Sequence, residues 1–520
     1  MTEKSMHWAD QIARRVVEQK GKKDKYVVAA GITPSGTVHI GNFREMITVE
    51  LVYRALKNLG KNVRFVYSWD DYDVFRKIPK NMPKHEVLKK YLHKPIVDTP
   101  DTFGCHKSYA EHNEKEVEDV MPLVGVKPEF VYQSEKYRSC EYAKEIKFVL
   151  NNKDKVKEIL DKFRKEPLAS DWYPLSVYCE KCGSDETKVV SYDGEFTVEY
   201  SCKCDFNGSV DFSKKGLVKL PWRVDWPMRW HHEKVDFEPG GKEHSTTGGS
   251  YSTAKLIFKE LYGGEPPLYQ KYDFIILKGV GGKMSSSAGN VITLKDSLSV
   301  YEAAIIRYLF ASTRPVTEFA ISFDLDVLKV YEDFDKCERI YYKKEEVDEK
   351  EHLKQKRIYE LSCVKEAAAK MPYQPSFRHL LNIVQIYEND FDKIKDSYGL
   401  TIKEDIERLK IRSSCAFNWL NKYAPDAMKF HVQKEIKAKL DDKEKEVITR
   451  LVKYLSEHDE LDEKLLYEEF YTISKAVEIE PKELFKVCYQ ILIDKERGPK
   501  LAPFIITLGK ERVLKLFSKV

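Results

Sequence analysis

Residues 26–42 read YVVAAGITPSGTVHIGN, and this stretch decides the fold. Tyr26 to Ala30 is a short β-branched and apolar run of strand type, ending in a turn marked by Gly31, Pro34 and Gly36. Past the turn, apolar residues recur at Phe43, Met46, Ile47, Leu51, Ala55 and Leu59, the spacing of one helix face. Gly60 stands where a left-handed cap is wanted, and Val63 to Ser68 returns as a second strand. Strand, helix and strand form a β-α-β unit, so the chain opens with a parallel α/β domain.

The chain has 520 residues, which at about 100–200 residues per domain predicts three or so domains. Hydrophobic residues make up 42% and charged residues 33%, which excludes a disordered or fibrous chain. The 88 basic and 84 acidic side chains nearly cancel, so total charge does not announce a nucleic-acid partner, although a locally basic face fits within so even a balance. No stretch approaches the roughly 18 uninterrupted apolar residues of a membrane helix, and the opening MTEKSMHWADQIARR has no apolar signal core. The reading is a cytoplasmic protein with no membrane partner.

Between Pro79 and about Leu217 the pattern turns irregular, with a His/Cys cluster near residue 105 and a Cys-bearing hairpin near 179–204. This predicts an insertion that splits the α/β domain. Strand signals resume at Tyr272 to Lys278 and lead into the loop GVGGKMSSSAGN, 279–290. From about Pro375 the pattern is helical: Phe377, Leu380, Leu381 and Val384 form one stripe, and Val447, Ile448, Leu451, Val452 and Leu455 another. The expected divisions are 1–90 and 217–310 for the two catalytic halves, 91–216 for the insertion, 311–374 for a helical connector and 375–520 for a helix bundle.

The first turn matches neither G-x-G-x-x-G nor the Walker pattern, since Thr37 and Asn42 stand where the Walker lysine must be. Its physics still suits a nucleotide: glycines let the backbone approach a ligand, and the N–H groups and dipole at a helix start attract phosphate. Downstream, Lys283-Met284-Ser285-Ser286-Ser287 sets a cation and hydroxyls between glycines after another strand of the same split domain. Near the insertion, Cys179-x₂-Cys182 and Cys202-x-Cys204 offer four soft ligands in the pattern of a zinc knuckle. Zinc would hold together a hairpin otherwise short of apolar residues, with Asp205 an alternative to Cys204 as the fourth ligand.

The TPSGTVHIGN turn and the GKMSSS loop, in that order, resemble the two signature sequences of class I aminoacyl-tRNA synthetases. PDTFGCHKSYAEH (100–112), LPWRVDWPMRW (220–230), VDFEPGGKEH (235–244), YDFIILKG (272–279) and SFRHLLNIVQIY (376–387) are similar to segments of the class I lysyl-tRNA synthetase family, of the archaeal type. The resemblance implies a split Rossmann-like catalytic domain, a zinc-bearing insertion meeting the acceptor end of tRNA, and an all-α C-terminal anticodon-binding domain. Asn42 replaces the last histidine of the general signature, Ser286 stands in place of a second loop lysine, and Glu243 stands where relatives often carry aspartate.

The implied activity is ATP-dependent ligation of L-lysine to tRNA(Lys) through a lysyl-adenylate, with Mg²⁺ accompanying ATP and transfer to the 2′-hydroxyl of the terminal adenosine. A protein serves such a reaction by alignment and by stabilising charge on phosphate oxygens. By resemblance His39, Lys283 and Ser285 are the catalytic residues, and Pro34, Gly36, His39, Gly41, Asn42, Glu243, Lys283, Met284 and Ser286 bind ATP. Gly31, Thr33, Trp222, His244, Tyr269 and Tyr272 form the lysine pocket, whose aromatic walls suit an aliphatic stem and an ammonium tip. Asp71 and Glu243 are candidates for the acidic residue completing it. Pro227 argues against one uninterrupted helix through Trp222, Trp226 and Trp230.

The resemblance also favours a second zinc site at Asp101, Cys105, His106 and His112, where Cys105 and His112 can face one point if a helix starts near Cys105. Both metal sites are expected to be structural, and the enzyme is taken as a monomer. Phe417, Trp419, Lys422 and Tyr423 are either base platforms or bundle core. Three alternatives share features of the sequence: another class I aminoacyl-tRNA synthetase specificity, a small-molecule nucleotidylyltransferase, and a non-catalytic zinc-dependent RNA-binding protein.

Overall fold

The structure is a computed structural model that describes residues 7–278, the backbone of 282–283, and residues 291–520. It divides into two compact units, one of residues 1–297, 303–321 and 336–367 and a second of 298–302, 322–335 and 368–520.

The first unit is built on a five-stranded parallel sheet. Its strands run Leu268–Tyr272, Phe237–Gly241, Tyr26–Ile32, Val63–Trp69 and Glu129–Tyr132 in spatial order. Tyr26 pairs with Val63 and Ile32 with Trp69. The quoted stretch forms as read: the helix after the turn spans Ile40–Asn58, Leu59 caps it, and Gly60 takes a positive φ of 72°. Phe43, Met46, Ile47, Leu51 and Ala55 are buried beneath the sheet. The helix also carries Glu50 inward, where Arg307 reaches it at 2.7 Å while donating to the carbonyls of Val124 and Leu361. Neither side chain is more than 3% exposed, and such a pair holds its place because breaking it strands a buried charge.

The run 272–278 does not form one strand. Tyr272 ends the parallel-sheet strand, while Ile275–Lys278 pairs antiparallel with Gly282–Lys283. Asp273 makes the break: its Oδ1 accepts the N–H of Phe274 at 2.7 Å, a local bond that competes with a sheet ladder. Nor does Pro227 interrupt its helix, which is continuous over Trp222–Glu233. A proline there removes one intrahelical donor, and burial of Trp226 and Trp230 with the Asp225–Arg229 ion pair outweighs that loss.

Inside the insertion, a three-stranded antiparallel sheet of Thr187–Tyr192, Thr197–Cys202 and Asn207–Asp211 follows the first Cys pair. This sheet is better filled than its sequence suggests, because Val189, Val198, Tyr200, Val210 and Phe212 are buried together with Cys179 and Cys202.

In the second unit every regular element described between Phe377 and Phe517 is a helix. Phe377, Leu380, Leu381 and Val384 are buried, as are Val447, Ile448, Leu451 and Leu455, while Val452 packs at the margin. Arg412 is fully buried and donates to Asp335, Glu302 and the Pro375 carbonyl. Trp419 is core: its Nε1 donates to the Phe323 carbonyl at 2.9 Å.

Candidate active site

The chain passes from Tyr26–Ile32 to Val63–Trp69 on one side, and Phe237–Gly241 lies on the other side of that first strand. Strand order therefore reverses at Tyr26–Ile32, and a crevice outside the carboxyl ends at such a point is where open α/β sheets bind ligands. Gly31 and Thr33 stand at the end of the first strand, with Gly241, Glu243 and His244 at the end of its neighbour. Close approach explains the glycines: a Cβ at Gly31 would meet the Ser68 carbonyl oxygen at 2.9 Å, and one at Gly240 the Tyr269 hydroxyl at 2.6 Å.

The turn then crosses buried Pro34 and Gly36 to His39, which caps the helix. The His39 N–H donates to Asn42 Oδ1 at 3.1 Å, so Asn42 organises the helix start instead of supplying a second imidazole. Gly41 lies in the first helical turn, where N–H groups lack partners within the helix. Next to it, the Ile40 N–H donates to the Ile292 carbonyl at 2.8 Å, bringing this turn against the residues that follow the second loop. The backbone of Lys283 pairs with Ile276. The roles expected of the Lys283 side chain and of Met284, Ser285 and Ser286 lie outside the described residues.

Glu45 is the functional candidate that the sequence did not single out. Its carboxylate accepts the Tyr272 hydroxyl at 2.6 Å and the Gly31 N–H at 3.0 Å, joining two of the expected pocket residues. Burial pushes its carboxyl up to about 8, against the pull of those two donors. The available signal was a lone glutamate four residues past Gly41, among apolar core positions. Asp71 is committed elsewhere, accepting the N–H of Ser134 at 2.7 Å and also its hydroxyl. Glu243 is exposed and lies over Gly241, where an added Cβ would stand 2.5 Å from its Oε1.

The aromatic walls are locked from behind. Trp222 stacks on Trp226 at 4.9 Å and carries the Arg229 guanidinium at 4.9 Å from its ring. Tyr269 stacks on Tyr251 at 3.7 Å, accepts from Ser245 Oγ at 2.9 Å and donates to the Gly241 carbonyl at 3.1 Å. His244 lies edge-on to Trp226 at 5.9 Å, and burial lowers its pKa.

A line of charges, buried except at Asp73, passes behind Trp222. Arg229 reaches Asp70 at 2.6 Å and Asp225 at 3.2 Å, Lys219 reaches Asp225 at 2.9 Å and Asp73 at 3.4 Å, and Asp73 accepts the Thr33 hydroxyl at 3.1 Å. Thr33, Asp73, Lys219 and Trp222 share the lining of a cavity of about 420 Å³, with Arg76 and Lys77 also on its wall.

Both expected metal clusters come together. The Sγ atoms of Cys179 and Cys204 lie 3.8 Å apart and those of Cys182 and Cys202 3.6 Å, with all four ligand atoms within 4.8 Å of one another. A zinc tetrahedron with Zn–S of about 2.3 Å has edges of about 3.8 Å, so the four thiols fit zinc and Asp205 is not required. In the second cluster Cys105 Sγ lies 3.1 Å from His106 Nδ1 and 3.2 Å from His112 Nδ1, and Asp101 Oδ1 lies 3.7 Å from His112 Nδ1. That convergence comes from a loop, since the helix carrying His112 starts at Tyr109, capped by Ser108. Asp101 shapes the loop: burial opposes its ionisation, but the N–H groups of His106, Phe103 and Cys105 hold its carboxyl down at about 2.

The family described as tRNA synthetases class I (K) matches residues 6–365. The lysine–tRNA ligase of Borreliella burgdorferi is 50% identical over 520 residues, 99% of each chain. That of Thermococcus kodakarensis is 43% identical, over 98% of this chain and 99% of the relative. A solved glutamate tRNA ligase from Elizabethkingia meningosepticum superposes with a TM-score of 0.44 at 12% identity, covering 95% of this chain and 98% of that one.

Proposed function

Since the chain belongs to the class I tRNA synthetase (K) family, we infer that it ligates L-lysine to tRNA(Lys) at the expense of ATP, releasing AMP and pyrophosphate. The observation carrying this reading is identity of 43–50% to lysine–tRNA ligases over essentially the whole length of both chains. The lysine carboxylate attacks the α-phosphate of ATP, and the lysyl group then passes from the adenylate to the tRNA end. No covalent enzyme intermediate is required, so the chain acts by holding reactants in line and stabilising charge.

In the detailed reading, His39 and the N–H groups around Gly41 hold ATP phosphates, with Pro34, Gly36, Asn42 and Glu243 shaping the nucleotide site. Lys283 and Ser285, with Met284 and Ser286 beside them, close over the transition state, and Mg²⁺ accompanies the nucleotide. Lysine lies between Gly31 and Thr33 on one side and Trp222, His244, Tyr269 and Tyr272 on the other. Glu45 receives the side-chain ammonium, because a buried carboxylate at the foot of the strand gains most from a cation delivered to it.

Zinc at Cys179, Cys182, Cys202 and Cys204, and a second ion at Asp101, Cys105, His106 and His112, would fix the insertion that meets the tRNA acceptor end. The helices from 375 to 520 hold the anticodon, and the enzyme acts as a cytoplasmic monomer. Substituting Lys283→Ala tests the core of this reading. Lysine-dependent ATP–pyrophosphate exchange in the presence of tRNA should fall by roughly 10²–10³ while tRNA affinity is kept; unchanged exchange would contradict the assigned role.

A further inference from the structure

We propose that Asp73 receives the α-ammonium group of the lysine substrate. The inference rests on the reading of the chain as a lysine-activating enzyme and adds to it the residue that recognises the amino-acid end of the substrate.

The argument starts from charge. Asp70, Arg229, Asp225, Lys219 and Asp73 form one continuous chain of ion pairs, in which three carboxylates face two cations. One negative charge is left over. Four of the five side chains are at most 9% exposed, whereas Asp73 is 29% exposed. Excess charge in such a chain is least costly where water or a ligand can reach it, which places it at Asp73, on the wall of the cavity shared with Thr33 and Trp222. Arg76, on the same wall, is drawn off by Asp185 at 3.1 Å.

Geometry then selects which ammonium. Glu45 is bound to the N–H of Gly31, and Asp73 to the hydroxyl of Thr33. The two carboxylates are thus attached to one strand end two residues apart, about 6.6 Å along an extended chain. The two ammonium groups of an extended lysine stand comparably far apart, so a single substrate can satisfy both. Glu45 lies on the Tyr272 side of the sheet end. Asp73 instead lines an open cavity together with Ser35, on the turn that leads to His39 and the proposed phosphate site, so the end of the substrate that must reach ATP lies nearer Asp73 than Glu45. The α-end therefore belongs at Asp73. The Thr33 hydroxyl donates its proton to Asp73 and keeps its lone pairs for the same ammonium.

The experiment uses the full chain with tRNA in lysine-dependent ATP–pyrophosphate exchange, with 6-aminohexanoate as competing ligand because it lacks only the α-ammonium. The unmodified enzyme should bind 6-aminohexanoate at least about tenfold more weakly than lysine. Asp73→Asn should raise the KM for lysine roughly 10- to 100-fold, leaving the inhibition constant of 6-aminohexanoate and the KM for ATP within about twofold. A purely structural role would move both ligands together, and that result would overturn the proposal, as would an unchanged KM for lysine. Should Asp73→Asn fail to fold, Asp73→Ser takes its place with the same expectation: a lysine KM that is unchanged, or that moves together with the inhibition constant of 6-aminohexanoate, overturns the assignment, as does equal affinity of the unmodified enzyme for the two ligands. Absence of any lysine-dependent exchange in the unmodified enzyme would instead refute the ligase reading itself.

Discussion

The N–H of Ile40 donates to the carbonyl of Ile292 at 2.8 Å, so the helix start behind His39 is fastened to the chain that leaves the GKMSSS loop. Two segments some 250 residues apart in the sequence thereby meet at one edge of the site. In the proposed reading His39 holds the ATP phosphates at this edge, so His39→Ala should lower the rate of lysine-dependent pyrophosphate exchange by roughly 10²–10³. Stopped-flow or exchange kinetics check this, with the lysine KM expected to change far less than kcat.

As the proposed acceptor of the lysine side-chain ammonium, Glu45 should make lysine binding dependent on pH. Its folded carboxyl lies near 8, so below that value it must release a proton to pair with an ammonium. The Kd for lysine should fall as pH rises from about 6 to about 8, by up to about tenfold per pH unit, and level off above. Glu45→Gln should weaken lysine binding roughly 10- to 150-fold and abolish this slope. Isothermal titration calorimetry in buffers of different ionisation enthalpy would also register the released proton.

The same group sets a stability trend in the absence of lysine. Because the folded pKa is raised from 4.5 to about 8, the stability linked to it is fully present below 4.5 and is lost as pH climbs through that interval. Thermal melts of the unmodified enzyme should therefore fall relative to Glu45→Gln between pH 5 and pH 8, and saturating lysine should reverse the difference.

Metal analysis of the purified enzyme should detect zinc, and Cys202→Ser should remove a single equivalent of it. Cys202 is buried in the core of the three-stranded sheet, so its loss should expose residues 187–211 to proteolysis and hydrogen exchange. Zinc retained in full by that variant would count against the four-thiol site.

In the helical unit, Arg412→Met removes the cation that reaches the buried Asp335 carboxylate at 2.9 Å, while Glu302 keeps Arg408 at 3.6 Å. The expected cost is about 3–5 kcal/mol of stability, read as a lower denaturant midpoint for the transition of that unit.

Local signals in the sequence were enough for the opening β-α-β unit, because strand, helix and cap each depend on residues close together in the chain. Four-thiol convergence was legible for the same reason, from the tight spacing of each Cys pair. Glu45, Asp73, Lys219 and Asp225 were not, since each acquires meaning only through partners far away in sequence: Glu45 from Tyr272, and Asp73 from Lys219. The split at Asp273 was hidden because its side chain, not a glycine or proline, ends the strand. Pro227 misled in the opposite direction, as a helix-breaking residue held in place by the burial of Trp226 and Trp230.

The most direct measurement is charging of tRNA by the purified enzyme with each of the twenty amino acids in turn, in the presence of ATP and Mg²⁺. Lysine alone should be attached, and formation of the product should require ATP. Charging with glutamate or arginine in place of lysine, or lysine-dependent pyrophosphate exchange with no charged tRNA, would contradict the assignment.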